Sequence, residues 1–325
     1  MRRTASATGF REDVVEKVLY LDAILNRLAR HPELQSAWVL KGGTALNLFF
    51  LDVPRLSVDI DVNYVGTADL SKMQAARPRF EAAVAACCER EGCAVRRVPQ
   101  DHAGGKFRLQ YSGAAGGSGS LELDLNFLLR VPLLGIEHQR PRFPPDAQAE
   151  SVPILTIEEI AAGKFAALLT RRAARDAFDA SQLLGVAPDL LDRPGFRFAF
   201  LVYAAGSRRD VRTIDPKGIG VSTKEIRSSL LPLLRVKEPS SLPGANELAD
   251  RLNAVCGMAA ERLLAWTRNE REFLDLLCDQ GRVAPQLLTE DSAQQGLIRA
   301  HPLLQWKALN VRKFKALPLP GGTQE

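Results

Sequence analysis

A mixed α/β domain over residues 10–150, followed by a mainly helical domain over residues 151–325, is the architecture this sequence predicts. Three observations predict it. Strictly alternating apolar and polar segments recur between helical stretches in the first part of the chain, a proline-rich stretch occupies residues 130–150, and helical spacing dominates afterwards. A length of 325 residues suits two domains of ordinary size, and 46% apolar against 25% charged residues suits folded ones.

Residues 13–30 (DVVEKVLYLDAILNRLAR) place apolar side chains three and four apart, as an amphipathic helix does. Ala37 to Leu40 is a short apolar run that ends at a glycine pair, and TALNLFFL after it reads as a helix. Residues 56–65 alternate, so Val58, Ile60 and Val62 face one way while Asp59, Asp61 and Asn63 face the other. Helical composition returns over residues 69–92. It is followed by strand-like CAVRRV, then by KFRLQYS and LELDLNFLL, whose glycine-rich AAGGSGS connector predicts a hairpin. In the last of these, Glu122, Asp124 and Asn126 share a polar face opposite Leu121, Leu123, Leu125 and Phe127.

The stretch RVPLLGIEHQRPRFPPDAQAE reads as a connection between domains. Thr156 with Glu159 three residues later is a capping-box pattern, and Ile157 to Leu184 then reads as helical. Some 28 residues is long for a globular helix, so a break is expected near Thr170 to Ala174. Residues 246–279 also read as helical, with proline and glycine interruptions of the pattern at 215–220 and 239–244.

Composition narrows the function classes. No apolar run approaches the roughly 20 residues that a membrane-spanning helix needs, and MRRTASATGF lacks the apolar stretch of a signal peptide. The expectation is a cytoplasmic protein with no membrane partner. Five cysteines share no ligand-like spacing with the four histidines and are expected to be reduced, mostly buried thiols. The net charge of +5 is carried mainly by residues 151–325, where 24 basic residues face 20 acidic ones. The basic residues cluster at Arg171, Arg172 and Arg175, at Arg208 to Arg227, and at Arg312, Lys313 and Lys315, as solvated surface or as a surface for nucleic-acid phosphates.

Three features carry chemistry. Lys41-Gly42-Gly43-Thr44 lies between an apparent strand and a helix, where glycine lets backbone N–H groups approach a phosphate. Asp59 and Asp61, two residues apart on one strand face, can bind the same hard cation, and a cation is what keeps two such neighbours ionised. Asp124, on a strand of the same pattern, is a third metal ligand, with Glu122 beside it as the weaker competitor. Carboxylates in this arrangement suit two-metal phosphoryl transfer with Mg²⁺ or Mn²⁺.

The run VLKGGTALNLFFLDVPRLSVDIDVNYV resembles the signature of the nucleotidyltransferase superfamily, with a somewhat longer gap between Gly43 and Asp59 than usual. More narrowly, LKGGTALNL, RLSVDIDVN and ILTIEEIAAGKFAALLTRRAARDAFDASQLL are similar to the AbiEii/AbiGii abortive-infection toxins of type IV toxin–antitoxin pairs. These motifs lie within residues 38–184. The resemblance implies that Gly42, Gly43, Thr44 and Ser57 hold a nucleoside triphosphate, and that Asp59 and Asp61 bind the metal. It implies further that Lys164 contacts nucleotide phosphate and that Asp176, in the Arg-Asp-x-x-Asp element ending at Asp179, is an acid required for activity. It also implies nucleotidyl transfer to RNA, with the 3′ end of tRNA as acceptor, arrested translation, and an antitoxin or functional antagonist as partner. The alternatives are transfer to a small molecule such as an antibiotic, or a non-catalytic nucleotide-binding module.

A helical wheel places Lys164, Leu168, Arg171, Arg175 and Asp179 on one arc amid apolar residues, where charges need partners or a ligand. Internal pairing would join Arg172 to Asp176 and Arg175 to Asp179, each four residues apart. Lys164 has no acid three or four residues after it, which marks it for function.

Overall fold

The computed structural model describes residues 1–98, 104–235 and 244–316. After α1 (Arg2–Thr8), the expected amphipathic helix is α2 (Glu12–Arg30), which buries Val14, Val15, Val18, Leu21, Ile24, Leu25 and Leu28. Strand β1 (Trp38–Lys41) runs into a single α-helical turn, α3 (Gly42–Ala45), which continues as a π-helical turn over Leu46–Phe50. Strand β2 (Asp59–Tyr64) is shorter than the alternating segment that predicts it. At its start Leu56 donates its N–H to the carbonyl of Leu233, and Arg55 bridges Leu234, so the chain there is pinned by the later half.

Helix α4 (Leu70–Arg90) opens on Asp69, whose carboxylate accepts the Lys72 N–H, and leads to β3 (Ala94–Arg97), β4 (Gly104–Ser112) and β5 (Ser118–Asn126). β4 and β5 form the expected antiparallel hairpin, with Lys106 opposite Asp124 and Arg108 opposite Glu122. The segment read as an interdomain connection is itself structured. It contains β6 (Ile136–Gln139), which pairs with β7 (Val152–Leu155) at the edge of the same sheet. The mixed sheet therefore has seven strands in the order β3-β4-β5-β2-β1-β7-β6, and it extends past residue 150. Periodicity hides these two strands because each is only four residues long and β7 is buried throughout.

β2 lies at the centre of the sheet, antiparallel to β1 and parallel to β5. This position explains why Ile60 and Val62 are buried while Asp59 and Asp61 reach the opposite face.

Beyond the sheet come α5 (Ile157–Arg171) and α6 (Ala174–Val186), separated at Arg172, whose φ of 56° lies in the left-handed region. Helix α7 (Pro194–Ala205) packs on α5. The short α8 (Thr223–Glu225) is followed by α9 (Ala245–Leu264), α10 (Arg268–Gln280), α11 (Ser292–Ala300) and α12 (Pro302–Phe314). The helical run expected over residues 246–279 is thus two helices, with Thr267 forming a full capping box with Glu270. The interruption expected at residues 239–243 lies outside the described residues. Thr156 makes only half of its capping box: its hydroxyl accepts the Glu159 N–H, but the Glu159 carboxylate turns away to Leu133, Leu134 and Tyr203. No helix among the described residues is long and apolar enough to cross a membrane.

Candidate active site

The glycine turn is shaped around an acid. Gly42 has φ 75°, and a Cβ there would lie 2.2 Å from Asp61 Oδ2. Gly43 meets the other wall, since a Cβ on it would fall 2.9 Å from both Ser57 Oγ and Arg55 Nη2. Only glycine fits either position without displacing a neighbour. Thr44 is fully buried, and its hydroxyl donates to the backbone carbonyl of Asp59, which ties the turn to the acidic strand.

The acids gather by strand register. Across the parallel β2–β5 pair, Asp59 stands opposite Glu122 and Asp61 opposite Asp124. Lys106, on β4, separates the two β5 acids in role: its Nζ is 2.7 Å from Glu122 but 3.7 Å from Asp124. Glu122 is accordingly held below the usual carboxylate range by its hydrogen bond from Lys106. Asp124 moves the other way, pushed up first by burial and further by the charge of Asp61, against the pull of Lys106. A carboxyl strained by a like-charged neighbour is relieved by a cation between them.

Helices α5 and α6 supply the opposite wall. Lys164 is buried, with its Nζ 3.1 Å from Asp176 Oδ1 and 2.8 Å from Asp179 Oδ2. Asp176 also receives the Arg171 guanidinium, and Asp179 receives that of Arg55 through two hydrogen bonds. Burial alone would push both carboxyls up. The cations outweigh it, so both sit below their ordinary range. Arg175 reaches across to β2 and donates to Asp59 Oδ2 at 3.0 Å.

The internal pairs expected from helical spacing are therefore not the ones formed. Arg172 ends α5 in a left-handed conformation, so it and Asp176 do not share a continuous helix. Arg175 turns to Asp59, leaving Asp179 to Arg55 and Lys164. Lys164 does have acidic partners, but they come from the next helix, 12 and 15 residues on.

Gly43, Arg55, Ser57, Asp59, Asp61, Asp124 and Lys164 line one cavity of about 180 Å³, with Lys106, Arg171 and Arg175 around it. A second cavity of about 320 Å³ shares Asp61, Lys164 and Arg171 with the first and extends between Leu129, Ile160 and Tyr203. The candidate residues read from the sequence thus meet around these two adjoining cavities, with Asp176 lining the first, Gly42 the second, and Thr44 buried in the turn.

Among the described residues no group of three or more His, Cys, Asp or Glu side chains is closed into a ready-made metal site. The donors present nevertheless suit a hard cation. Asp59, Asp61 and Asp124 offer only oxygen, and Mg²⁺ characteristically takes one or two carboxylates and completes its shell with substrate phosphates and water.

Sequence reasoning missed Arg55, Lys106 and Tyr203, and it misassigned Arg175. Arg55 lies 124 residues from Asp179, so no spacing rule links them; its one signal is its place two residues before Ser57. Of the basic clusters, the first contributes Arg171 and Arg175 to this cavity. In the second, Arg212 is largely buried among Asp210, Asp275 and Asp279, a structural role.

A solved structure shares the fold. The structure is similar to the MenT4 nucleotidyltransferase toxin from Mycobacterium tuberculosis H37Rv at a TM-score of 0.58 and 17% identity, over 91% of this chain and 95% of that one. It also resembles JHP933 from Helicobacter pylori at a TM-score of 0.46 and 18% identity, over 78% of this chain and 94% of that one. No curated protein matches the chain. The model of the family described as nucleotidyl transferase AbiEii toxin, type IV toxin–antitoxin system, matches residues 23–319, and with the motifs seated in one cleft the chain belongs to that family.

Proposed function

We propose that this enzyme transfers a nucleotidyl group from a nucleoside triphosphate to a hydroxyl of an RNA acceptor, the 3′ end of tRNA, and thereby arrests translation. The observation that carries this reading is the convergence of the Gly42–Gly43 turn, the Asp59–Asp61 pair and the Lys164 amine on two adjoining cavities that share Asp61 and Lys164. In the reaction the acceptor oxygen bonds to the α-phosphorus, the bond to the bridging oxygen breaks, and pyrophosphate departs.

Each residue has a task in that scheme. Asp59, Asp61 and Asp124 would hold Mg²⁺ or Mn²⁺, which when bound supplies charge to stabilise the attacking and leaving oxygens. Gly42 and Gly43 leave room for phosphate oxygens near the backbone, and Ser57 offers a hydroxyl beside them. Lys164 presents its ammonium to the triphosphate, and Asp176 and Asp179 hold that ammonium in place from behind. Asp176 is thus a positioning residue.

Lys106, Lys164, Arg171 and Arg175 set four cationic side chains among the acids of the cavity, which gives the oxygens of a phosphate-rich substrate partners there. Membership of a type IV family adds an antitoxin or functional antagonist as partner. Incubation of the protein with labelled nucleoside triphosphate, Mg²⁺ or Mn²⁺ and total tRNA should label tRNA. Transfer to no RNA under any metal or nucleotide would overturn the RNA acceptor.

A further inference from the structure

The three strand acids are not equally available. Asp61 has no side-chain hydrogen bond or ion pair among the described residues, and Asp124 is only loosely approached by Lys106 at 3.7 Å. Asp59 is different. Arg175 donates directly to its Oδ2 at 3.0 Å, on the side chain that a metal would need.

A guanidinium and a divalent cation compete for that oxygen. Both are drawn to the same lone pairs, and they repel one another across a few ångströms. Arg175 is also poorly anchored. Its side chain is 40% exposed, and among the described residues its one ion-pair partner is Asp59, itself 37% exposed. Arg55 is the contrast: it is 1% exposed, locked to Asp179 by two hydrogen bonds and held by a third to the Leu56 carbonyl. One arginine of the cavity is fixed structure, and another is a movable charge.

We propose that Arg175 occupies the metal position at Asp59 in the substrate-free enzyme and transfers to a phosphate oxygen of the incoming nucleotide, so that triphosphate and metal enter together. This rests on the nucleotidyltransferase site proposed above and adds a phosphate-binding residue to it. The charge count favours the exchange. The triphosphate offers Arg175 a planar, bidentate anionic partner in the same cavity, and the acid it vacates is then matched by the cation. Metal and nucleotide affinities are then coupled, each raising the other by the same factor.

The coupling gives effects of opposite sign. Mn²⁺ titrated alone into the full chain should bind Arg175→Gln roughly tenfold or more tightly than wild type, and a non-hydrolysable nucleoside triphosphate should bind it more weakly by a similar factor. Arg171→Gln removes one positive charge from the same cavity without touching Asp59. It should raise Mn²⁺ affinity clearly less, and equal gains in the two variants would overturn the exchange. Unchanged Mn²⁺ affinity in Arg175→Gln would overturn it as well. Should that variant not fold, crystals of the wild type decide. Arg175 on Asp59 without ligands, and on phosphate with Mn²⁺ and the analogue, supports the exchange; Arg175 on Asp59 in both overturns it. A wild type that binds neither Mn²⁺ nor nucleotide would defeat the underlying site, whereas one that binds both without the opposite-sign response defeats the exchange alone.

Discussion

Arg55 and Asp179 form a buried ion pair that joins the chain just before β2 to helix α6, with Nε and Nη2 at 2.8 and 2.7 Å from the two carboxylate oxygens. Neither side chain is more than 1% exposed. Because Lys164 shares Asp179, the pair also fixes the amine that faces the cavity. Removing one partner strands the other's charge out of water, so Arg55→Ala or Asp179→Ala should each destabilise the protein by about 3–5 kcal/mol. Replacing both by apolar residues of similar volume, Arg55→Met with Asp179→Leu, should cost less than either single change, because Lys164 retains Asp176. Denaturant unfolding of the three variants checks this, and a double variant that sums the two single losses would show the pair is not the source.

Acid should weaken the same junction in a predictable direction. Asp179 is held below the ordinary carboxylate range although burial pushes it up, because Arg55 and Lys164 outweigh that push. A carboxyl lower in the folded state than in the unfolded one stabilises fully above its unfolded pKa of about 3.9, and that contribution is withdrawn as pH falls further. Glu159 acts oppositely, since burial raises it over the hydrogen bonds from Tyr203, Leu133 and Leu134. Comparison with Asp179→Asn isolates the first effect. The stability gap between wild type and this variant should stay constant from pH 7 to about pH 4 and close below it. A gap that widens toward acid would contradict the assignment.

What the sequence reveals here is local, and what it conceals is contact at a distance. Strand β2 is legible because its alternation encodes one buried and one acidic face, and the glycine pair because a strand-to-helix turn demands it. The break between α5 and α6 is legible from length alone, and it falls at Arg172 within the expected window. By contrast, the partners of Lys164, Asp179 and Asp59 come from other elements, and charge pairing across 12 to 124 residues has no spacing signature. Beyond residue 184 the sequence shows helical pattern and two basic clusters but no motif that points to the site. The contribution of the described residues 185–235 and 244–316 to the site is steric and anchoring, as where Leu233 and Leu234 pin the chain at Arg55 and Leu56.

Gly42 and Gly92 separate backbone strain from damage to the cavity. Both have positive φ, 75° and 78°, but a Cβ at Gly92 meets nothing within 4 Å, whereas one at Gly42 runs into the Asp61 carboxylate. Each substitution to Ala should cost about 1–2 kcal/mol for the left-handed backbone. Only Gly42→Ala must also move Asp61, and a misplacement of this size costs on the order of 10²-fold in rate. Thermal unfolding and nucleotide transfer measured on both variants test the distinction, which fails if Gly92→Ala loses as much activity as Gly42→Ala.

Asp61 should show function and stability pulling apart. It has no hydrogen-bonded or ionic partner among the described residues, and its charge raises the proton affinity of Asp124 across the strand pair. For folding its repulsion of Asp124 is set against the attraction of Arg171, so Asp61→Asn should change stability by no more than about 1 kcal/mol. For the proposed chemistry it is the acid most open to a cation, and the same change should abolish transfer and any growth arrest on expression. Asp59→Ala differs, since it also frees Arg175 and adds an unneutralised cation to the rim. Cells expressing Asp61→Asn that still stop growing, with the protein folded and at wild-type abundance, would remove Asp61 from the machinery and leave its half-buried charge without a purpose.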